Sequence, residues 1–204
     1  MNRKWFAGLF IGLLSMPVLA VAILALTHSF EVSELKTYGD VPRFGLTERS
    51  GDSVTLESLR GKVWVASFIF TRCSGQCPLL CSELREIQNK FRFKDKFRLL
   101  SISVDPVHDT PQALRLYADR FSADPYKWLF LTGGATEVQS LIQHGFRLAS
   151  GGEGDDPGAD DIVHSSKLVL VDAWGRIRGY YDGTDRGSIK TLMKDARGLI
   201  RQAF

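Results

Sequence analysis

The chain has 204 residues, a formal net charge of +3, 24% charged and 44% apolar residues, which suits one globular domain with a short appendage. Its positive charges are scattered and form no basic stripe interleaved with aromatics, so nucleic-acid binding gets little support. All three cysteines fall between Cys73 and Cys81, which excludes a disulfide framework spread across a small secreted domain.

The N-terminus reads as a membrane anchor over residues 1–28. Met1-Asn2-Arg3-Lys4 is a basic head, and Trp5 to Thr27 carries no charge. A bilayer span needs about 20 such residues. The basic head stays cytoplasmic, so the remainder faces outward. A cleaved signal peptide has a shorter apolar core, although Ala20-Val21-Ala22 offers a cleavage site as the alternative. No Arg- and Ser-rich presequence is present, which favours a bacterial inner membrane, with the domain in the periplasm, over a mitochondrial one.

Residues 29–40 read as a spacer and 41–204 as the domain. Phe44 to Leu56 has the pattern of a hairpin turning at Ser50 to Ser53. Val63 to Phe70 is a near-continuous apolar run, the signature of a strand covered on both faces. A helix is expected over Leu79 to Phe91, with Pro78 suited to an early helical position and Leu80, Leu84, Ile87 and Phe91 on the apolar face. Phe97 to Val104 is a second strand. Asp109-Thr110-Pro111 caps a helix over Gln112 to Phe121. Trp128 to Leu131 is a strand and Ala135 to Gln143 a helix. Ala149 to Asp161 is a Gly- and Asp-rich loop. Strands Lys167 to Asp172 and Ile177 to Tyr181 flank a turn at Ala173 to Gly175, and Ser188 to Gln202 closes the chain as a helix. This order predicts an α/β sandwich of mixed strand direction. A dithiol loop after the first core strand, with a hairpin and helix at the end, describes a thioredoxin-like fold carrying an N-terminal β-hairpin extension.

Cys73 and Cys77 bracket three residues where the usual dithiol oxidoreductase loop brackets two. A wider loop can close as a disulfide or turn both sulfurs to one metal, and the dithiol alone does not choose. His164, just before the strand at Lys167, adds an imidazole where the fold brings that strand's entry beside the dithiol. Two thiolates and an imidazole form a soft site suited to copper, either Cu(I) or Cu(II). Structural zinc usually takes four protein ligands. Cys81 reads as a core residue, with a resolving thiol as the alternative.

Phe70-Thr71-Arg72-Cys73 through Cys77-Pro78, Ser103-Val104-Asp105-Pro106 with Asp109-Thr110-Pro111, and Val163-His164-Ser165 before Leu168 to Asp172 together resemble the Sco/SenC proteins. The resemblance runs from about Val41 to Phe204. It implies a membrane-anchored, thioredoxin-like copper protein that helps assemble the dinuclear copper centre of cytochrome c oxidase. It further implies Cys73, Cys77 and His164 as copper ligands, Asp105 as a group near the metal, and two partners: a copper donor protein and the oxidase's copper-bearing subunit. Such a metallochaperone is not an enzyme. The alternative is a thiol-disulfide oxidoreductase that works through a Cys73–Cys77 disulfide and reduces the cysteines of an oxidase subunit. A peroxide-reducing enzyme, suggested by Thr71 and Cys73, fits the pattern poorly.

Overall fold

The computed structural model describes residues 35–148 and 166–203, and those from Leu35 onward belong to one compact unit. The expected membrane anchor, the loop at 149–161 and His164 lie outside the described residues. Among those described, no helix is long and apolar enough to cross a membrane.

The frame is a mixed sheet. Its central strand, β4 (Val63–Ile69), is buried at every position. Its sequence, VWVASFI, is largely β-branched and aromatic, with no glycine or proline to interrupt the ladder. Strands β5 (Phe97–Ser103) and β6 (Trp128–Thr132) continue parallel on one side. On the other side β7 (Lys167–Val171) runs antiparallel and forms a hairpin with β8 (Arg176–Asp182). The N-terminal hairpin, β2 (Gly45–Glu48) and β3 (Ser53–Thr55), extends the sheet beyond β6. The sequence therefore placed both the core strand and the hairpin extension correctly.

At the opposite edge, β1 (Gly39–Asp40) pairs with β8. The sheet thus takes in the last two residues of the stretch read as spacer. Two residues carry too little pattern to register as a strand, and this one exists only because β8 offers it a free edge. The order across the described sheet is β1-β8-β7-β4-β5-β6-β2-β3.

Alternation along β4 feeds two cores. Val63, Val65 and Ile69 face helices α1 (Gln76–Lys90), α2 (Pro111–Arg120) and α4 (Arg186–Ala203), which contribute Leu80, Leu84, Ile87, Leu114, Leu192 and Leu199. Trp64, Ala66 and Phe68 face the other way, toward the hairpin and α3 (Ala135–Ser140), where Leu46, Val138 and Phe146 lie. Helices on both faces of a largely buried sheet give the thioredoxin-like architecture expected.

Two local differences matter for function. Helix α1 begins at Gln76, three residues before the expected Leu79, so Cys77 stands in its first turn and not in the loop. Helix α2 is capped by Thr110, whose hydroxyl accepts the Ala113 N–H at 3.3 Å, with Pro111 at the first helical position. Asp109, read with Thr110 as part of the cap, is therefore free for another task. A third difference is distant: the expected helix over Ala135 to Gln143 stays α-helical to Ser140 and continues as a π-turn, Leu141–Gly145.

Candidate metal centre

The dithiol lies at the carboxyl end of β4. The Cys73 N–H donates to the Phe70 carbonyl at 3.2 Å, so the chain turns sharply after the strand. Helix α1 then starts at the Gly75 cap, which has no side chain to satisfy the first N–H groups. A sulfur does this instead: the Cys77 N–H donates to Cys73 Sγ at 3.4 Å. The geometry stabilises negative charge on Cys73, as expected at a helix N-terminus.

The two thiols differ. Cys73 is half-buried, and burial on its own would raise its pKa. The backbone N–H groups of Cys77 and Gly75, the Cys77 thiol and the Gln76 N–H outweigh burial and hold Cys73 below the ordinary thiol range. Cys77 is 5% exposed. Burial pushes it up to about 12, with Cys73 and Asp109 adding to the rise. Cys81, one turn further along α1, is fully buried and pushed up to about 12, again chiefly by burial. Its sulfur lies 3.9 Å from the Tyr117 hydroxyl, inside the helix-side core. Core packing, the role expected for Cys81, is what the structure gives it. All three cysteines are free thiols.

Asp105 reaches the dithiol turn by an ion pair. Its Oδ2 accepts from Arg72 Nη2 at 2.7 Å and Nε at 3.2 Å, while Oδ1 lies 2.8 Å from His108 Nδ1. Partial burial would raise its pKa, but His108 and Arg72 outweigh that and lower it. Asp105 thus holds the residue before Cys73.

The residue missed in the sequence is Asp109, 0% exposed. Its carboxyl accepts the Thr71 N–H at 3.1 and 3.3 Å, the Thr71 hydroxyl at 2.5 Å and the Ser103 hydroxyl at 2.5 Å. The signal that could have found it is the spare acid beside a better cap in Asp109-Thr110-Pro111.

The expected third ligand, His164, lies outside the described residues, and these contain no cluster of three or more His, Cys, Asp or Glu side chains arranged for a metal. Two residues beyond it, Ser166 is fixed: its carbonyl accepts the Gly183 N–H at 2.8 Å and its hydroxyl donates to Asp182 at 3.0 Å. A Cβ on Gly183 would collide with Leu80 of α1 and stand 2.8 Å from the Ser166 carbonyl. The entry to β7 and the dithiol helix therefore meet at Gly183, which has room for no side chain.

The chain matches the SCO1/SenC family model over residues 34–201. It is 30% identical over 161 residues to a SCO1 protein homolog of Bacillus subtilis, covering 78% of this chain and 81% of that one. Among solved structures it resembles BsSco, a member of the Sco family of cytochrome c oxidase assembly proteins. The TM-score there is 0.69 and the identity 28%, covering 82% of this chain and 97% of the other. It also resembles copper-bound ScoI of Bradyrhizobium japonicum, with a TM-score of 0.59 and 27% identity, over 78% of this chain and 99% of that one. With a family match that runs over residues 34–201 and so takes in the dithiol turn, the chain belongs to the SCO1/SenC family.

Proposed function

We propose that this protein is a membrane-anchored copper carrier that assists assembly of the dinuclear copper centre of cytochrome c oxidase. Copper is its cargo, held as Cu(I) or Cu(II) by Cys73, Cys77 and His164. Residues 1–28 form the single-pass anchor in the inner membrane, and the domain from about Val41 works in the periplasm. It takes the metal from a donor protein and passes it to the oxidase's copper-bearing subunit.

The observation that carries this reading is the paired thiols at the α1 N-terminus, in a chain resembling a copper-bound ScoI. Thiolate is a soft ligand that suits copper. Binding must displace the thiol protons, which Cys73 gives up readily and Cys77 gives up to a cation in exchange. The fixed Ser166, beside the dithiol helix, supports His164 as the third ligand.

A second reading, a thiol-disulfide oxidoreductase, draws on the same asymmetry. A partly exposed thiol of lowered pKa attacks, and a buried partner resolves the mixed disulfide.

Competition titrations with each copper oxidation state, run beside a disulfide-reduction assay, separate the two. Two thiolates hold Cu(I) in near-linear geometry, whereas Cu(II) prefers more ligands and a nitrogen-rich set. His164→Ala should sharply weaken Cu(II) binding with a smaller loss for Cu(I), and Cys73→Ser or Cys77→Ser should damage both. Equal Cu(II) affinity in wild type and His164→Ala would remove the three-ligand site and leave the reductase.

A further inference from the structure

We propose that Asp109 is the positioning residue of the dithiol: its buried carboxyl latches Thr71 to the end of β5 and so fixes the turn from which Cys73 projects. The inference rests on reading Cys73 and Cys77 as the working thiol pair, and not on the metal they carry.

The turn has little to hold it from within. The Cys73 N–H to Phe70 carbonyl bond closes it, and Ser74 and Gly75 beyond are exposed. Arg72 is 60% exposed at its side chain, so its ion pair with Asp105 is open to solvent and screened. Asp109 is different. It binds both the backbone and the hydroxyl of Thr71, two residues before Cys73. Ser103, the last residue of β5, donates to the same carboxyl while accepting the Asp105 N–H at 3.0 Å. One buried group therefore ties the exit of β4 to the exit of β5, and both loops inherit the sheet's rigidity.

Burying a carboxyl is costly unless its oxygens are occupied. Nothing in α2 requires that cost, because Thr110 already caps it. The donors Asp109 receives are hydroxyls and an N–H, and what they organise is the dithiol turn. Residues that hold a reactive group through a hydrogen bond tune its chemistry as well as its place.

The test uses the full chain in detergent, reduced and metal-free, and reads the ratio of Cys73 to Cys77 alkylation by iodoacetamide at one fixed pH, with Cu(I) affinity as a second arm. Asp109→Asn keeps the shape but sets an amide N–H against the donors of Thr71 and Ser103. It should reduce the Cys73 preference about tenfold and weaken Cu(I) by a similar factor, the scale of one well-formed hydrogen bond to a charged group. Asp172→Asn is the control, since Asp172 is equally buried and bonded at the other end of the sheet. It should destabilise the fold yet leave the ratio within about twofold, because distant sites act independently.

A ratio unchanged in folded Asp109→Asn, or moved equally by Asp172→Asn, overturns the proposal. Should Asp109→Asn not fold, Thr71→Val removes only the hydroxyl arm of the latch, and an unchanged ratio there overturns it equally. If wild type fails to bind copper while the ratio still falls in Asp109→Asn, the copper reading fails and the latch stands. If wild type binds copper and Asp109→Asn alters neither arm, the latch fails and the copper reading stands.

Discussion

The two ends of the sheet each bury an aspartate, and they use it differently. At the end away from the dithiol, Asp172 is 1% exposed and closes the β7–β8 turn. It accepts the N–H groups of Trp174 and Arg176, both at 3.0 Å, and two guanidinium groups, Arg176 at 2.8 Å and Arg178 at 2.9 Å. Arg178 in turn donates to the carbonyls of Leu35 and Lys36, tying the start of the domain to the same point. Charge is matched by charge, and the result is a rigid corner. At the dithiol end Asp109 receives hydroxyls and an N–H, and its charge adds to what burial does to Cys77. Among the described residues no ion pair reaches Asp109, and a negative charge near the Cys77 thiol favours an incoming positive ion. A buried carboxyl locks the β7–β8 turn in one place and ties the dithiol turn to the end of β5 in the other.

The comparison breaks most visibly at Asp172. Asp172→Ala leaves the nearly buried Arg178 without its partner, and breaking such a buried pair costs about 3–5 kcal/mol. Urea unfolding should show that loss as a lower midpoint with an unchanged slope. A simultaneous change in thiol reactivity would mean that the two ends are coupled and that the contrast is wrong.

A pH profile of alkylation sharpens the contrast within the dithiol end. Because the Cys73 pKa is lowered, its thiolate persists to lower pH, and its rate should half-saturate below the pH of an ordinary cysteine. Cys77 and Cys81, each pushed up to about 12, should still be climbing at the most alkaline pH the fold survives. Mass spectrometry of each labelled peptide checks this, and a single shared profile would refute the asymmetry.

The smallest effect is expected at Arg72. Arg72→Gln removes a solvent-exposed ion pair with Asp105, worth less than about 1 kcal/mol, and its thermal midpoint should barely move. A large fall would show that the outer clamp, and not Asp109, holds the turn.

Much of the fold was legible because it rests on periodicity. The run at Val63 to Phe70 has the length and β-branched content of a doubly covered strand, and Leu80, Leu84 and Ile87 mark one face of a helix wherever it starts. The start lies three residues earlier than expected because Gly75 caps without a side chain, which leaves Pro78 as the one mark of the first turn. Strand β1 and the partner of Cys81 escaped for another reason. Each is made by a distant segment: β8 for Gly39–Asp40, and Tyr117 of α2 for the thiol.

By itself the sequence determined the two-sided core, the body of the helix that follows the dithiol, the thiol pair and the family motifs around it. These depend on local spacing and residue chemistry, which the chain carries wherever it goes. Only the tertiary structure decided which distant side chains would hold the dithiol turn. It also decided that Cys77 would be sealed from solvent, and that Asp109 would leave the helix cap for Thr71, 38 residues away in sequence. The reason is that a carboxyl's role follows from which donors stand beside it once strands β4 and β5 are paired. That pairing, Ile69 against Ser103, brings Thr71 and Asp109 together.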